Sequence, residues 1–255
     1  MKKLFSASIL LVLLASVAHS SPWRADGPTT VAHRGTTVIA DENTMAAYDL
    51  AADNGVDVIE CDPRPTRDGV LVIMHDETVD RTTDGKGRVA DLTLAEVKKL
   101  RTKSGQEVPT LAEVLAFARE RGIGVYLDMK PSPKDGGELL MKTVAEAGMT
   151  DRVIVGCYDL WLAASVHRLA PETSISISWP FPATFGLARL VGAEAVGTLT
   201  GLATPAAIRL AHLYGLKMVT LPINDPEKLA KMRAIGIDGL QSDDPRLLKP
   251  YGREQ

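Results

Sequence analysis

The chain is predicted to be an α/β protein, a (β/α)8 TIM barrel in a single domain with a small hairpin insertion after the second strand. Three observations lead to that expectation. Strand and helix patterns alternate with no linker or low-complexity break, as in a parallel sheet joined by crossover helices. About eight strand signals occur, and in a chain of 255 residues eight parallel strands close most economically into a barrel. The residues able to do chemistry fall at the C-terminal tips of those strands, where barrel sites gather.

The N-terminus is a separate object. Lys2 and Lys3 precede an apolar stretch from Ile9 to Ala15, and Ala18-His19-Ser20 is a small-residue cleavage pattern. Residues 1–20 are therefore expected to be a secretory signal peptide and residues 21–255 the mature domain. A spanning helix needs about 20 apolar residues, more than this stretch offers. With no cysteine near the cleavage site to carry a lipid, an exported protein, periplasmic or secreted, with no stable membrane anchor is expected. A 45% hydrophobic content supplies one large core, and a net charge of −3 gives no reason to expect nucleic acid as a partner.

Thr29 to Ala32 reads as the first strand and delivers His33 and Arg34 at its end. Glu42-Asn43-Thr44 opens a helix from Met45 to Asp53, with Asn43 or Thr44 as its cap, a reading preferred to a site role for Glu42. Val56 to Cys61, an apolar run bounded by Gly55 and by Pro63 and Pro65, is a buried strand. Alternation along it sends Glu60 and Asp62 to one face and Cys61 to the other. Arg67-Asp68-Gly69 is a hairpin turn, and the return strand from Val70 to Met74 brings His75 and Asp76 back toward that acidic face.

Leu111 to Arg121 is helical and ends at Gly122, before a strand from Ile123 to Met129. That strand puts Asp128 and Lys130, two residues apart, on one face of the mouth. A helix from Glu138 to Ala147, a strand from Arg152 to Gly156, a helix from Leu160 to Leu169 and a strand from Ser174 to Ser178 follow. Trp179 comes next, as mouth lining or as packing. From Phe181 to Thr200 glycine and alanine dilute the pattern, and the sixth strand is not placed. The chain closes with a helix from Pro205 to Tyr214, a strand from Leu216 to Leu221, a helix from Pro226 to Ile235 and a strand from Ile237 to Gln241. Cys61 and Cys157 are expected to be small buried apolar residues, and His167 and His212 structural or exposed.

Glu60 and Asp62 side by side repel unless a cation lies between them or one holds a proton. All-oxygen ligation favours one hard divalent cation, Mg²⁺ or Ca²⁺, over Zn²⁺. Alone, a Glu-x-Asp is more often a solvated pair, and a lone strand-end histidine is more often structural. Two histidines, each closing an apolar strand beside the same acidic pair, point instead to metal-assisted phosphoester cleavage. The mouth rule makes Asp128 the third metal carboxylate and Lys130 a phosphate or substrate contact. Arg34 would offset charge building in the transition state, with His33 as base and His75 as acid.

These blocks together carry a family resemblance. His33-Arg34-Gly35, Glu42-Asn43-Thr44, Gly55 through Asp62, Thr66-Arg67-Asp68-Gly69, His75-Asp76 and Arg81 through Gly87 match, in order and spacing, the glycerophosphodiester phosphodiesterase family. Val108 through Leu111, Tyr126 through Lys130 and Gly236 through Gly239 extend the resemblance over nearly the whole mature chain. It implies the same barrel and a small-molecule substrate, a deacylated phospholipid such as glycerophosphocholine or glycerophosphoethanolamine. The products would be glycerol 3-phosphate and an alcohol. It also implies that the glycerol hydroxyls meet the metal and that a neighbouring hydroxyl attacks first to give a cyclic phosphate. The residues themselves leave that route and direct attack by water open.

The chain departs from the family pattern at Asp128, where glutamate is usual, and at Thr220 through Asn224, which lacks a frequent tryptophan. A sphingomyelinase D or lysophospholipase D-like relative resembles the same barrel and commonly has aspartate where Asp128 stands. That group lacks the Glu-Asn-Thr and Arg-Thr-Thr blocks found here. A non-catalytic head-group binding protein is the reading from another class, and the intact histidines and carboxylates give it no support.

Overall fold

The computed structural model describes residues 21–130, 136–178 and 181–249, so the expected signal peptide and Trp179 lie outside the described residues. Strand β1 (Thr29–Ala32) leads to helix α1 (Met45–Asp53) and then β2 (Val58–Cys61). A ribbon of β3 (Pro63–Pro65) and β4 (Leu71–Ile73) follows, then α2 (Leu94–Val97) and α3 (Leu111–Arg121). The alternation continues through β5 (Gly124–Asp128), α4 (Gly136–Glu146), β6 (Val153–Cys157), α5 (Leu160–Leu169) and β7 (Ser174–Ile177). It ends with α6 (Phe185–Leu190), β8 (Ala195–Thr198), α7 (Pro205–Leu213), β9 (Lys217–Thr220), α8 (Pro226–Ala234) and β10 (Gly239–Ser242).

Eight parallel strands close in the order β1-β2-β5-β6-β7-β8-β9-β10, and β10 returns to β1 with Thr29 opposite Gly239. The expected barrel is the observed one. Strand alternation sorts its side chains into two cores. Val31, Val58, Tyr126, Ile154, Ala195 and Val219 fill the interior, while Ala32, Ile59, Cys61 and Leu127 join the larger layer under the helices. Trp23 belongs to the inner cluster, and its Nε1 donates to Ser174 Oγ at 3.1 Å. The ammonium of Lys217 lies 5.5 Å from the centre of the same ring.

The missing sixth strand is β8, whose sequence Ala-Val-Gly-Thr is buried throughout yet holds only one large apolar side chain. The insertion after the second strand is larger than the expected hairpin. Its ribbon is antiparallel as expected, but the chain up to α3 encloses a small core of Val72, Met74, Val79, Val89, Val97 and Val108. Those residues are separated by polar turns, so no periodicity announces them. Cys61 and Cys157 are both buried and free, and β5 lies between their strands. His167 is exposed, and His212 Nε2 pairs with Asp238 Oδ2 at 2.9 Å.

Candidate active site

The turn after β1 is built on unusual backbone. Arg34 (φ 52°) and Asn43 (φ 57°) are non-glycine residues in the left-handed region, which few such residues occupy, asparagine more readily than most. Gly35 (φ 75°) lies so close to α1 that an added Cβ would come within 2.8 Å of the Ala47 carbonyl carbon. This approach turns the Arg34 N–H toward Glu60, whose Oε2 accepts it at 2.7 Å.

The Glu42-Asn43-Thr44 phrase does more than start a helix. Thr44 is the N-cap, accepting from Ala47 N. Asn43 instead donates through Nδ2 to Asp62 Oδ2 at 2.9 Å and accepts from the Tyr48 hydroxyl at 2.9 Å. Glu42 accepts from Arg34 Nη1 at 2.9 Å and from Arg81 Nη1 at 2.8 Å. Sequence reasoning favoured the cap over a site role; here one residue caps and its two neighbours serve the mouth.

Glu60, Asp62 and Asp128 each offer a carboxylate oxygen within 4.8 Å of the other two. Glu60 and Asp62 are fully buried, and Asp128 is partly exposed. Burial pushes the Glu60 carboxyl well above its usual range, and the charges of Asp62 and Asp128 push it further. Burial would raise Asp62 too, yet the Lys130 ammonium and the Asn43 amide hold it below the ordinary carboxylate value. Lys130 Nζ lies 2.9 Å from Asp62 Oδ1 and also contacts Asp128 Oδ2. Burial works against that ammonium, but the two carboxylates raise its pKa above that of a free lysine.

Asp128 Oδ1 is buried with no hydrogen-bond partner, and Asp62 Oδ1 meets Lys130 as an ion pair outside hydrogen-bond geometry. A buried carboxylate oxygen without a donor costs free energy unless a cation completes it. Three oxygen-only donors, mutually close and with oxygens to spare, fit a hard divalent ion.

Each histidine is backed by a carboxylate. His33 Nδ1 lies 2.6 Å from Asp243 Oδ1, and His75 Nδ1 lies 2.8 Å from Asp76 Oδ1. A carboxylate only accepts, so each Nδ1 is assigned the proton and each neutral ring keeps Nε2 as its acceptor. The His33 hydrogen bond, with help from Asn224, lowers the Asp243 carboxyl to about 2. Asn224 Nδ2 donates to Asp243 Oδ2, and its Oδ1 accepts from Ser242 Oγ and Asp243 N, both at 2.9 Å. Asp76 is held well below the usual range first by Arg81, whose Nε donates to it at 2.6 Å, and then by His75.

His33, Arg34, Glu60, His75, Asp128 and Lys130 line one cavity of about 160 Å³, with Tyr126, Tyr158, Ser178, Leu221, Pro222 and Gln241 completing the wall. Asp62, the seventh residue picked out from the sequence, sits beneath it on Lys130. All seven are brought together. Sequence reasoning missed Asp243, Asn224 and Arg81. Asp243 directly follows β10, so the strand-tip rule that found His33 also points to it.

Residues 33–247 match the family described as the glycerophosphoryl diester phosphodiesterase family. The chain belongs to that family. A glycerophosphodiester phosphodiesterase of Caldanaerobacter subterraneus is 31% identical over 233 residues, covering 86% of this chain and 95% of its own. A Mycobacterium tuberculosis protein, a probable glycerophosphodiester phosphodiesterase 1, is 51% identical over 255 residues, covering 89% of this chain and 93% of its own. Among solved structures, an Oleispira antarctica phosphodiesterase in complex with the product sn-glycerol-3-phosphate matches with a TM-score of 0.78 at 26% identity, over 86% of this chain and 94% of that one. This family member is a phosphoric diester hydrolase acting on glycerophosphodiesters. The family generally depends on a divalent metal, and Glu60, Asp62 and Asp128 are the acidic group able to hold one among the described residues.

Proposed function

We propose that this phosphodiesterase hydrolyses deacylated phospholipids, among them glycerophosphocholine and glycerophosphoethanolamine, to glycerol 3-phosphate and the free alcohol. Glu60, Asp62 and Asp128 would hold one Mg²⁺ or Ca²⁺, His33 is the base, His75 the acid, and Arg34 and Lys130 meet the phosphate. What carries this reading is the convergence of two carboxylate-backed histidines and three close carboxylates on one cavity.

The bound ion would supply Lewis-acid neutralisation of phosphate charge. The protein's own part follows from the hydrogen bonds. With Nδ1–H held by Asp243, His33 Nε2 is free to take the proton of the attacking hydroxyl, and Asp243 offsets the charge the ring gains. His75, held by Asp76, returns a proton to the leaving alkoxide. Arg34, kept in place by Glu42, brings positive charge to the non-bridging oxygens. The base role is the same whether the attacking hydroxyl is the substrate's own or water. In this reading residues 1–20 direct export, and residues 21–255 act in the periplasm or outside the cell with no stable membrane anchor. Among the described residues no helix is long and apolar enough to cross a membrane.

The test is release of choline and glycerol 3-phosphate from glycerophosphocholine, before and after complete chelation and after adding back Mg²⁺ or Ca²⁺. Turnover that survives chelation overturns the carboxylate site. Activity confined to sphingomyelin overturns the substrate class.

A further inference from the structure

One guanidinium lies behind two arms of the site. Arg81 Nη1 and Nη2 donate to the two carboxylate oxygens of Glu42, each at 2.8 Å. From its other edge Nε donates to Asp76 Oδ2 at 2.6 Å, and Nη2 donates to Asp76 Oδ1 at 3.1 Å. Both pairings are two-pronged, a geometry that a planar guanidinium supplies and an ammonium does not. Each carboxylate has a second partner in the cavity. Glu42 Oε1 also accepts from Arg34 Nη1 at 2.9 Å, and Asp76 Oδ1 from His75 Nδ1 at 2.8 Å. An unbroken series of paired groups therefore runs from Arg34 through Glu42, Arg81 and Asp76 to His75.

Arg81 belongs to no barrel strand; the lobe inserted between β4 and α3 carries it. The lobe fixes where it stands. Val79, two residues earlier, is fully buried in the valine core. Thr82 Oγ1 donates to Met74 Sδ at 3.1 Å, and Thr83 Oγ1 to the Val79 carbonyl oxygen at 2.7 Å. The lobe grips the loop after β1 a second time beside Glu42, where Ser104 N and Oγ donate to Asp41 Oδ2 at 2.8 and 2.6 Å. Burial works to raise the Glu42 carboxyl, yet the Arg81 hydrogen bonds and the Arg34 charge hold it below the ordinary glutamate value. Without Arg81, Glu42 and Asp76 are like charges with nothing to set their separation.

We propose that Arg81 is a positioning residue of the hydrolysis: its fork sets the distance between the Asp76–His75 and Glu42–Arg34 pairs, so that acid and phosphate contact close on one phosphodiester. The inference rests on the proposed roles of His75 and Arg34 and adds the residue that coordinates them. Arg81 is not among the residues lining the catalytic cavity, so it acts through its two carboxylates. A misplacement of about 1 Å at reacting groups can cost about 10²-fold in rate.

Arg81→Gln and Arg81→Lys test this in the metal-loaded enzyme, on glycerophosphocholine and on the glycerol phosphodiester of 4-nitrophenol, whose leaving group departs without a proton. Either variant is expected to lower kcat on glycerophosphocholine about 10- to 100-fold with little change in KM. Lysine does not restore the rate, because an ammonium cannot hold both carboxylates two-pronged. On the nitrophenyl ester the loss is smaller, since only the Arg34 arm still matters there. An Arg81→Gln/Asp76→Asn double variant is expected to lose less than the product of the two single losses, because both act through His75. Wild-type kcat in Arg81→Gln, full recovery in Arg81→Lys, or a loss carried by KM overturns the inference. So does an equal loss on both esters, which leaves the Asp76 arm idle, or a loss that follows the unfolded fraction in thermal melts. Each of these outcomes spares the phosphodiesterase reading. A wild-type enzyme that hydrolyses neither ester removes both readings together.

Discussion

Asp243 Oδ1 lies 2.6 Å from His33 Nδ1, across 210 residues of chain, and Asn224 holds the carboxylate from its other side. Loops after three neighbouring strands, β9, β10 and β1, thus fix one imidazole. An aromatic ring with a carboxylate on one nitrogen can present only the other to a substrate.

If both histidines transfer protons, His33→Ala and His75→Ala should each lower kcat by about 10² to 10⁴. Asp243→Asn keeps the shape but favours the wrong ring nitrogen for the proton, and is expected to lose about 10- to 100-fold in kcat with little change in KM. Steady-state kinetics on glycerophosphocholine separate the two parameters. A large KM effect with kcat intact would assign Asp243 to substrate binding instead.

Acid stability follows from the same pair. The Asp243 carboxyl is lowered from 3.8 to about 2 by its hydrogen bond from His33. A depressed carboxylate stabilises the fold at pH values above its unfolded pKa, and the contribution is lost as pH falls through the folded value. Urea midpoints should therefore drop between about pH 4 and pH 2, and Asp243→Asn should make that drop shallower. Asp76, held low by Arg81 and His75, acts in the same direction and leaves a residual slope in the variant.

The carboxylate trio sets function against stability. Burial and two neighbouring charges disfavour an ionised Glu60 in the metal-free protein. Glu60→Gln keeps an acceptor for the Arg34 N–H and removes that charge, so the metal-free variant should melt no lower than the wild type. Adding Mg²⁺ or Ca²⁺ at about 100 times its dissociation constant should stabilise the wild type by about 2.7 kcal/mol and leave the variant unmoved. Differential scanning calorimetry with and without the ion reads both effects. A metal-induced shift of equal size in the variant would remove Glu60 from the ligand set.

Gly35 is constrained twice, by φ 75° and by contact with the α1 backbone, where an added Cβ would approach the Ala47 oxygen to 2.9 Å. The obstacle is backbone rather than a flexible side-chain end, so it cannot swing away. Gly35→Ala is expected to cost about 1–3 kcal/mol in urea unfolding and to lower turnover by shifting the Arg34 N–H off Glu60. A variant with wild-type stability would mean that the loop relaxes freely.

Local pattern and strand polarity made much of the site legible. Glu60 and Asp62 could be assigned to the inner face because β2 alternates, and Cys61 does face the helices. His33, Asp128 and Lys130 followed from where their strands end. What local pattern could not supply was pairing between distant loops: Asp243 needs His33 beside it before its role exists. Glu42 and Asn43 were obscured because residues that cap helices are the same types that bind cations and carboxylates. β8 was hidden by small side chains, and the inserted lobe by a valine core scattered among turns.

Trp23 lies at the far end of the barrel from the histidines, packed with Val31, Val58 and Tyr126 and tied to Ser174. It precedes β1 and belongs to no strand, yet it joins the inner core whose Val58 lies two residues before Glu60 on β2. The apolar packing that continues the barrel interior away from that carboxylate is therefore completed by a residue outside the strands. Trimming the chain past Trp23 would open that packing from underneath, without altering any group at the mouth.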